Sequence, residues 1–227
     1  MNTFTRIGAA LAGTALTVGV ALPAQAATSN TLGSAQQLAT ARIDGRLETL
    51  RALDLAAGSA RYIAAADKTA LHTVITGDIS GLTALRSKVT AETTAAAVHA
   101  DETTMVDTYR VYLLVVPKVH LTIALDTEAA AAARLQKVHD NLAARLAKKP
   151  GGANAGENAE LADLQTQIQA AQHAVDGQVV ALLALQPGPG GAAITAQVKT
   201  IQGRAREARQ DLRKAQADAK EIRAAVK

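Results

Sequence analysis

The chain contains no cysteine and no tryptophan, and aromatic residues make up 2% of its 227 residues. Without cysteine it has no disulfide, no thiolate ligand for zinc or an iron–sulfur cluster, and no thiol that could carry a lipid anchor. Compact cores normally rely on large aromatic side chains for burial. Apolar residues still reach 48%, with a large share of alanine, which favours helices but offers little surface to bury. The composition therefore predicts an all-α protein of long helices packed through Leu, Ile, Val and Ala.

Residue patterns for catalysis or metal binding are also missing. The five histidines show neither the Glu-x-x-His nor the His-x-x-x-His spacing of metal sites in helical bundles. No serine lies in a Gly-x-Ser-x-Gly frame, and the glycine-rich segments lack the lysine of a phosphate-binding loop. The scarcity of aromatics argues against sugar platforms and against stacking on nucleic acid. We therefore predict a non-enzymatic protein with no metal or other cofactor and no nucleic-acid partner.

The first 26 residues have the pattern of a secretion signal. Arg6 supplies a positive head, residues 7–22 form an apolar run that ends at Pro23, and Ala24-Gln25-Ala26 matches the small-x-small cleavage pattern. The run is short and rich in Ala and Gly, whereas a permanent membrane helix needs about 20 strongly apolar residues. We predict cleavage near Ala26, no transmembrane segment in the mature chain, and a secreted or cell-envelope location.

Beyond this segment, apolar side chains recur at helical spacing and predict about five helices in an elongated antiparallel bundle. A flexible leader over 27–34 is expected to end at Ser34, whose hydroxyl can cap the first helix of a helical domain spanning 35–147. Lys, Pro and Gly residues form a helix stop that opens a linker at 148–158. Residues 159–227 then predict an antiparallel coiled-coil hairpin. The five apolar stripes cover residues 38–53, 71–89, 131–146, 161–185 and 194–226, and the Thr/Ala tract 90–104 is expected to bend or to be exposed.

The densest apolar run after the signal, residues 109–121, contains Pro117. Proline lacks a backbone donor and disfavours helical geometry at the residue before it, and the β-branched residues of this run also suit a strand. The helical flanks favour a helix kinked near Pro117, and a buried strand over Val111–Leu121 is the alternative. The candidate ligand-binding residues of this run are Arg110, Lys118 and His120. Arg110 lies between two tyrosines and can clamp an anion, or stack on tyrosine within a packed hinge.

The same run carries a resemblance. The block Asp107-Thr108-Tyr109-Arg110-Val111-Tyr112-Leu113, followed by Val116-Pro117-Lys118-Val119-His120, resembles an element of secreted, helix-rich bacterial proteins of uncharacterised function, in which Tyr-Arg-x-Tyr precedes Pro-Lys. Asp67-Lys68 and the segment 81–85 are similar too, so the likeness covers about residues 60–130. The resemblance implies no activity. It suggests that the Tyr/Pro block is the distinctive centre of the domain.

Charge is distributed unevenly over the last two predicted helices. Residues 157–186 carry four Asp or Glu and no Lys or Arg, whereas residues 199–227 carry nine Lys or Arg against four Asp or Glu. An acidic helix folded against a basic one is the simplest explanation. The alternative is an exposed basic face that binds an anionic polymer. Its candidate residues are Arg204, Arg206, Arg209, Arg213 and Lys214.

These observations predict a secreted, non-enzymatic helical protein that acts by contact with an envelope protein or an anionic cell-wall polymer. The regular apolar stripe of the last helix also allows an oligomer. One alternative is an extracytoplasmic chaperone or adaptor that holds client segments between its helices. A second alternative is an enzyme with a site around Tyr109, Arg110, Tyr112 and His120.

Overall fold

A computed structural model describes residues 31–225, and the predicted secretion signal lies outside the described residues. The predicted all-α bundle is confirmed, with no β-strand between residues 31 and 225. Five of the helices described exceed twenty residues, two are shorter, and one π-helical turn precedes the fourth. They are α1 (Leu32–Ser59), α2 (Ala65–Ala91), α3 (Ala95–Tyr109), the π-turn (Val111–Val115), α4 (Val116–Ala147), α5 (Ala155–Val175), α6 (Gln178–Ala184) and α7 (Gly191–Ala225).

Two helices begin earlier than the sequence suggested because polar side chains cap them. The Thr31 hydroxyl accepts a hydrogen bond from the backbone N–H of Ser34 at 3.4 Å, so Thr31 rather than Ser34 caps α1. At the start of α5, Asn154 and Glu157 form a capping box, in which each side chain accepts from the other residue's backbone N–H. Parts of the predicted leader and of the predicted linker are therefore helical.

The Thr/Ala tract 90–104 contains a turn at 92–94 followed by α3, which the apolar stripes did not predict. The Thr94 hydroxyl caps α3 by accepting from the N–H of Ala97 at 3.2 Å. Alanine supplies helix propensity in this stretch, and the helix is fixed by the burial of Val98 and Met105 against α1 and α2. Periodicity missed α3 because so few of its buried positions are large and apolar.

The first of two main cores lies between α1, α2, α3, the π-turn and the first part of α4. Helix α2 runs antiparallel to α1, since Lys68 Nζ donates to the Gly58 carbonyl at 2.7 Å while Gln36 Nε2 donates to the Glu92 carbonyl at 3.0 Å. The largest buried side chains of this first core are Ile43, Leu50, Leu71, Ile75, Leu82 and Met105.

The second core lies between the later part of α4, α5 and α7. Its main side chains are Leu142, Leu146, Leu164, Ile168, Leu212 and Ile222, with Ala171, Ala208, Ala215 and Ala219 between them. The apolar stripe of α7 is thus buried inside this chain, against α4 and α5. Because α4 contributes to both cores, packing crosses the 148–158 segment that the sequence predicts as a linker between domains.

A short cluster lies between the two cores. Leu125 of α4 packs there with Leu182 of α6 and Ile201 of α7. The fourth predicted helix is divided at this level into α5 and α6, because Gly177 has a φ of 68°, in the left-handed region that ends a helix. Together these contacts place the beginning of α7 beside the beginning of α4.

The helical alternative at Pro117 is confirmed, and the predicted irregularity takes the form of the π-turn. The N–H of Val116 bonds to the carbonyl of Val111, five residues back. Pro117 has no N–H, and its ring would clash with the carbonyl of Leu113 in a regular α-helix, so the turn before it is wider. The break between α3 and this turn is at Arg110, whose φ of 43° is left-handed.

Candidate binding sites

Two cationic side chains, one at the end of α3 and one at the beginning of α4, contact the end of α6 and the connection between α6 and α7. Lys118 is 3% exposed, and its Nζ donates to the carbonyl oxygens of Leu183 at 3.1 Å and Leu185 at 2.7 Å. The last carbonyls of a helix have no partner within the helix, so Lys118 satisfies the end of α6 from a different part of the fold. We call this region, with residues 185–190 and Arg110, the joint.

Arg110 is the second cation of the joint. Its Nε donates to the Gly188 carbonyl at 2.8 Å, and its Nη2 donates to the Pro189 carbonyl at 3.2 Å and to Asp107 at 2.5 Å. A left-handed conformation costs a residue with a side chain about 1–2 kcal/mol, which these charge-assisted bonds offset. Both predicted ligand-binding cations, Arg110 and Lys118, therefore contact this chain's own backbone.

A cavity of about 230 Å³ lies beside Lys118 at the joint. Asp78 of α2 and Tyr109 of α3 also line it. Burial raises the pKa of Asp78 to about 6, against the opposing charge of Lys118. Burial likewise raises the pKa of Tyr109, with a further contribution from Asp78, and lowers the pKa of Lys118 against the attraction of Asp78. A carboxyl group, a hydroxyl group and an ammonium group from three helices thus line one cavity, and the pKa of each is shifted from its ordinary value.

The structure does not bring Tyr109, Arg110, Tyr112 and His120 into one cleft. Tyr112 is exposed, and the guanidinium group over its ring, 5.2 Å from the ring centre, belongs to Arg46 rather than to Arg110. His120 is exposed and lines a separate groove between α4 and α7. Of the four, Tyr109 is the one that lines the cavity at the joint.

The α4–α7 groove has a volume of about 530 Å³. Apolar side chains of α4 and α7 form its floor, and His120, Arg209 and Arg213 lie along it. Arg209 donates twice to Glu128 Oε1, at 2.8 and 3.1 Å. Glu128 is 5% exposed, and burial raises the pKa of its carboxyl group against the lowering effect of Arg209. This pair fixes one cation of the basic helix against α4.

One exposed side of α7, which borders the α4–α7 groove at Arg213, carries a row of four cations, Lys199, Arg206, Arg213 and Lys220, which we call the α7 cationic row. They are seven residues apart, and seven residues make almost two helical turns, so all four lie on the same side of the helix. All four are exposed, and none forms an ion pair within residues 31–225. The row therefore presents four positive charges to solvent.

The five basic residues predicted as an anion-binding face separate into two groups. Arg206 and Arg213 belong to the α7 cationic row. The other three have carboxylate partners: Arg204 with Glu207 at 3.0 Å, Arg209 with Glu128 at 2.8 Å and Lys214 with Asp211 at 3.3 Å. Two of these partners lie on α7 itself, three residues away, where side chains share a helix face.

The acidic helix α5 packs against the basic helix α7, as the sequence predicts, but opposite charges do not form the contact. No ion pair within the described part of the chain joins α5 to α7, and small and aliphatic side chains form their contact. Burial raises the pKa of Asp218 on α7, and the nearby carboxylates of Glu221 and Asp163 raise it further. The side of α7 next to α5 is thus acidic, and the α7 cationic row lies on another side.

Some of these residues had a signal in the sequence and one did not. The seven-residue spacing of Lys199 and Lys220 with Arg206 is visible in the sequence and completes the row. Asp78 is a single carboxylate in an amphipathic helix, and only its position opposite Lys118 across the joint distinguishes it.

Within residues 31–225, no group of three or more His, Asp and Glu side chains is placed to hold a metal ion. No helix in the same stretch is long and apolar enough to cross a membrane. Comparison with protein-family models, with curated proteins and with solved structures finds no match to this chain. The resemblance to secreted helix-rich proteins accordingly stays a prediction.

Proposed function

We propose that this protein is an exported, non-enzymatic binding protein that holds an anionic polymer along the α7 cationic row. The export part of the proposal rests on the pattern of residues 1–26. The binding part rests on one observation, the four exposed cations that have no ion-pair partner within the described residues.

The length of the row favours a polymer over a small anion. Residues 199 and 220 are 21 positions apart, which corresponds to about 32 Å along a helix at about 1.5 Å per residue. Adjacent cations are then about 10 Å apart, close to the Debye length at an ionic strength of about 0.1 M. Each cation therefore acts nearly independently of the next. A chain with repeating phosphate or carboxylate groups can pair with all of them at once.

The helix that carries the row is packed against two other helices. Another side of α7 is buried against α4 and α5, and the Arg209–Glu128 pair adds a link to α4 beside the row. Single exposed ion pairs contribute about 0–1 kcal/mol each. Binding by the row accordingly depends on several contacts made together, and we expect it to weaken steeply with salt.

The test compares two variants of equal net charge in a titration with a poly(glycerol phosphate) chain and with poly-glutamate. The first variant carries Arg206→Gln, Arg213→Gln and Lys220→Gln. The control carries the same number of neutralisations at exposed cations outside α7: Arg51→Gln, Lys137→Gln and Lys148→Gln. We expect the first variant to lose at least about tenfold in affinity, because three contacts are removed, and the control to change by less than about twofold.

Raising the salt concentration from about 50 to about 200 mM should weaken binding of the unchanged protein and should have less effect on the row variant. Equal losses in the two variants would mean that net charge alone attracts the polymer. No measurable binding to either polymer at low salt would remove the proposal.

A further inference from the structure

The cavity at the joint contains polar groups with unused hydrogen-bonding capacity. Within residues 31–225, neither the Asp78 carboxylate nor the Tyr109 hydroxyl makes a side-chain hydrogen bond, and Lys118 uses two of its three N–H groups on carbonyls of 183 and 185. Asp78 and Lys118 attract each other without forming an ion pair. An acid and a base therefore face one cavity with nothing in the described structure joining them.

The walls of the cavity suit a small ligand. Val74, Leu114, Val115 and Pro187 supply apolar surface around the polar groups, and the volume is about 230 Å³. The polar lining residues are Thr73, Asp78, Tyr109, Lys118 and Gln186. Small-molecule sites combine apolar surface with polar groups that fix the orientation of the ligand. Lys118 is 3% exposed, so its spare N–H is held in place rather than free to reach solvent.

Two glycines of α2 lie near this cavity, and packing leaves room for a side chain at one of them but not at the other. At Gly81 a Cβ atom would overlap the Tyr109 hydroxyl, so packing requires glycine. At Gly77, which lines the cavity, a Cβ atom would meet no neighbour within 4 Å. Glycine in a helix interior weakens the helix relative to alanine. Gly77 is exposed and packing does not require glycine there, so a larger side chain at this position has room to extend over the wall of the cavity.

We propose that this cavity binds a small zwitterion, a free α-amino acid, whose ammonium group pairs with Asp78 and whose carboxylate pairs with Lys118. A simple anion would leave the Asp78 carboxylate unpaired, and a simple cation would lie against Lys118, so only a ligand with both charges satisfies both groups. The Tyr109 hydroxyl can donate to the carboxylate, and an aliphatic side chain fits against Val74 and Leu114. The site is independent of the α7 cationic row.

The experiment titrates the full chain at about pH 7.5 with alanine, valine and leucine by calorimetry. Two analogues of each amino acid lack one charge: the amide, without the carboxylate, and the N-acetyl derivative, without the ammonium group. We expect saturable binding of at least one amino acid. We expect its two analogues to bind at least about tenfold more weakly, because each leaves one charged group of the cavity, the half-buried Asp78 or the buried Lys118, without a partner.

Three variants locate the binding. Asp78→Asn should abolish it, and Gly77→Leu should abolish it by filling the cavity while the helix content stays unchanged. Gly33→Leu is the matched control, since Gly33 is also a helical glycine with open space at its Cβ and lies in the first turn of α1. We expect this control and the triple variant of the α7 cationic row to bind like the unchanged chain.

A pH series adds a readout specific to Asp78. The titratable groups that face it are Lys118 from α4 and Tyr109 from α3, and the 185–190 connection contributes none. Because the ammonium group needs an ionised Asp78, affinity should fall about tenfold between about pH 7.5 and about pH 5. No saturable binding at millimolar amino acid would overturn the proposal. So would equal affinity for the amide or N-acetyl analogue, or unchanged binding in Gly77→Leu.

Discussion

The two main cores have the same helical architecture but are packed in different ways. Two of the seventeen buried residues of the first core are alanine, whereas six of the thirteen in the second core are alanine. Large side chains fill the first core and supply stabilisation through the area that they remove from water. In the second core α5 and α7 approach closely over small side chains. One chain thus builds one helical core from large side chains and another from small side chains that let the helices approach closely.

The largest expected effect is a cavity in the first core. Leu50 is fully buried in α1, and replacement by alanine removes its contacts and leaves a void, so we expect Leu50→Ala to lower the free energy of unfolding by about 2–5 kcal/mol. Urea denaturation measures this change. Leu55 lies on the same helix and is 75% exposed, and Leu55→Ala should change stability by less than about 0.5 kcal/mol. Similar losses in both variants would contradict the assigned core.

Replacing a small side chain by a large one should destabilise the second core. Ala215 is fully buried in α7, and a leucine there would separate the helices, so Ala215→Leu should cost about 1–3 kcal/mol. Ala217, exposed on the same helix, provides the control, because leucine at this position meets solvent. A second core that accepts leucine at 215 without loss would show that its helices are not closely packed.

At Arg110, two substitutions distinguish the energetic cost of the left-handed backbone from the stabilisation by the side-chain hydrogen bonds. Arg110→Ala loses the bonds to the 188 and 189 carbonyls and keeps the left-handed strain, whereas Arg110→Gly loses the same bonds and relieves the strain. Both variants should be less stable than the unchanged chain. The glycine variant should be the more stable of the two by about 1 kcal/mol in thermal or urea unfolding. Equal stability would argue against a strained joint.

The smallest expected effect is a pH-dependent gain in stability when Asp78 at the joint is replaced by asparagine. Asp78 has a folded-state pKa of about 6, above its ordinary value, so ionisation opposes folding. Asp78→Asn avoids this cost and should raise the free energy of unfolding by about 1 kcal/mol at about pH 8, an amount reduced by the partial exposure of the group. The gain should shrink as the pH falls through about 6 and disappear below about pH 4, where the carboxyl group is protonated in both states. If the gain in stability did not depend on pH, ionisation of Asp78 would not be its cause.

The long helices could be predicted because their apolar residues repeat at helical spacing, and α7 kept that spacing through Ile222. The π-turn followed from Pro117 only in part, since proline signals an irregularity without specifying its form. The left-handed Arg110 had no local signal, because glycine or asparagine is the usual residue at such a position. Its partners lie 78 and 79 residues away, and only tertiary packing brings them together.

The predicted contact between the acidic and the basic helix is present, but opposite charges do not form it, for a physical reason. A helix has several faces, and α7 has acids on the side that meets α5 and cations on another side. Asp218 and Arg213 differ by only five positions but lie on different sides. The seven-residue spacing of the cations distinguishes the two faces, whereas a charge total for the helix does not.

Amide hydrogen exchange along α4 tests most directly whether one helix is shared by two differently packed cores. We expect the amides of residues 116–125 to have the same opening free energy as those of α1 and α2. The amides of residues 132–146 should share a different opening free energy with those of α5 and α7. In Ala215→Leu only the second group should lose protection. Uniform protection along the whole of α4 would contradict the account. So would simultaneous opening of α5 and α7 that leaves residues 132–146 protected.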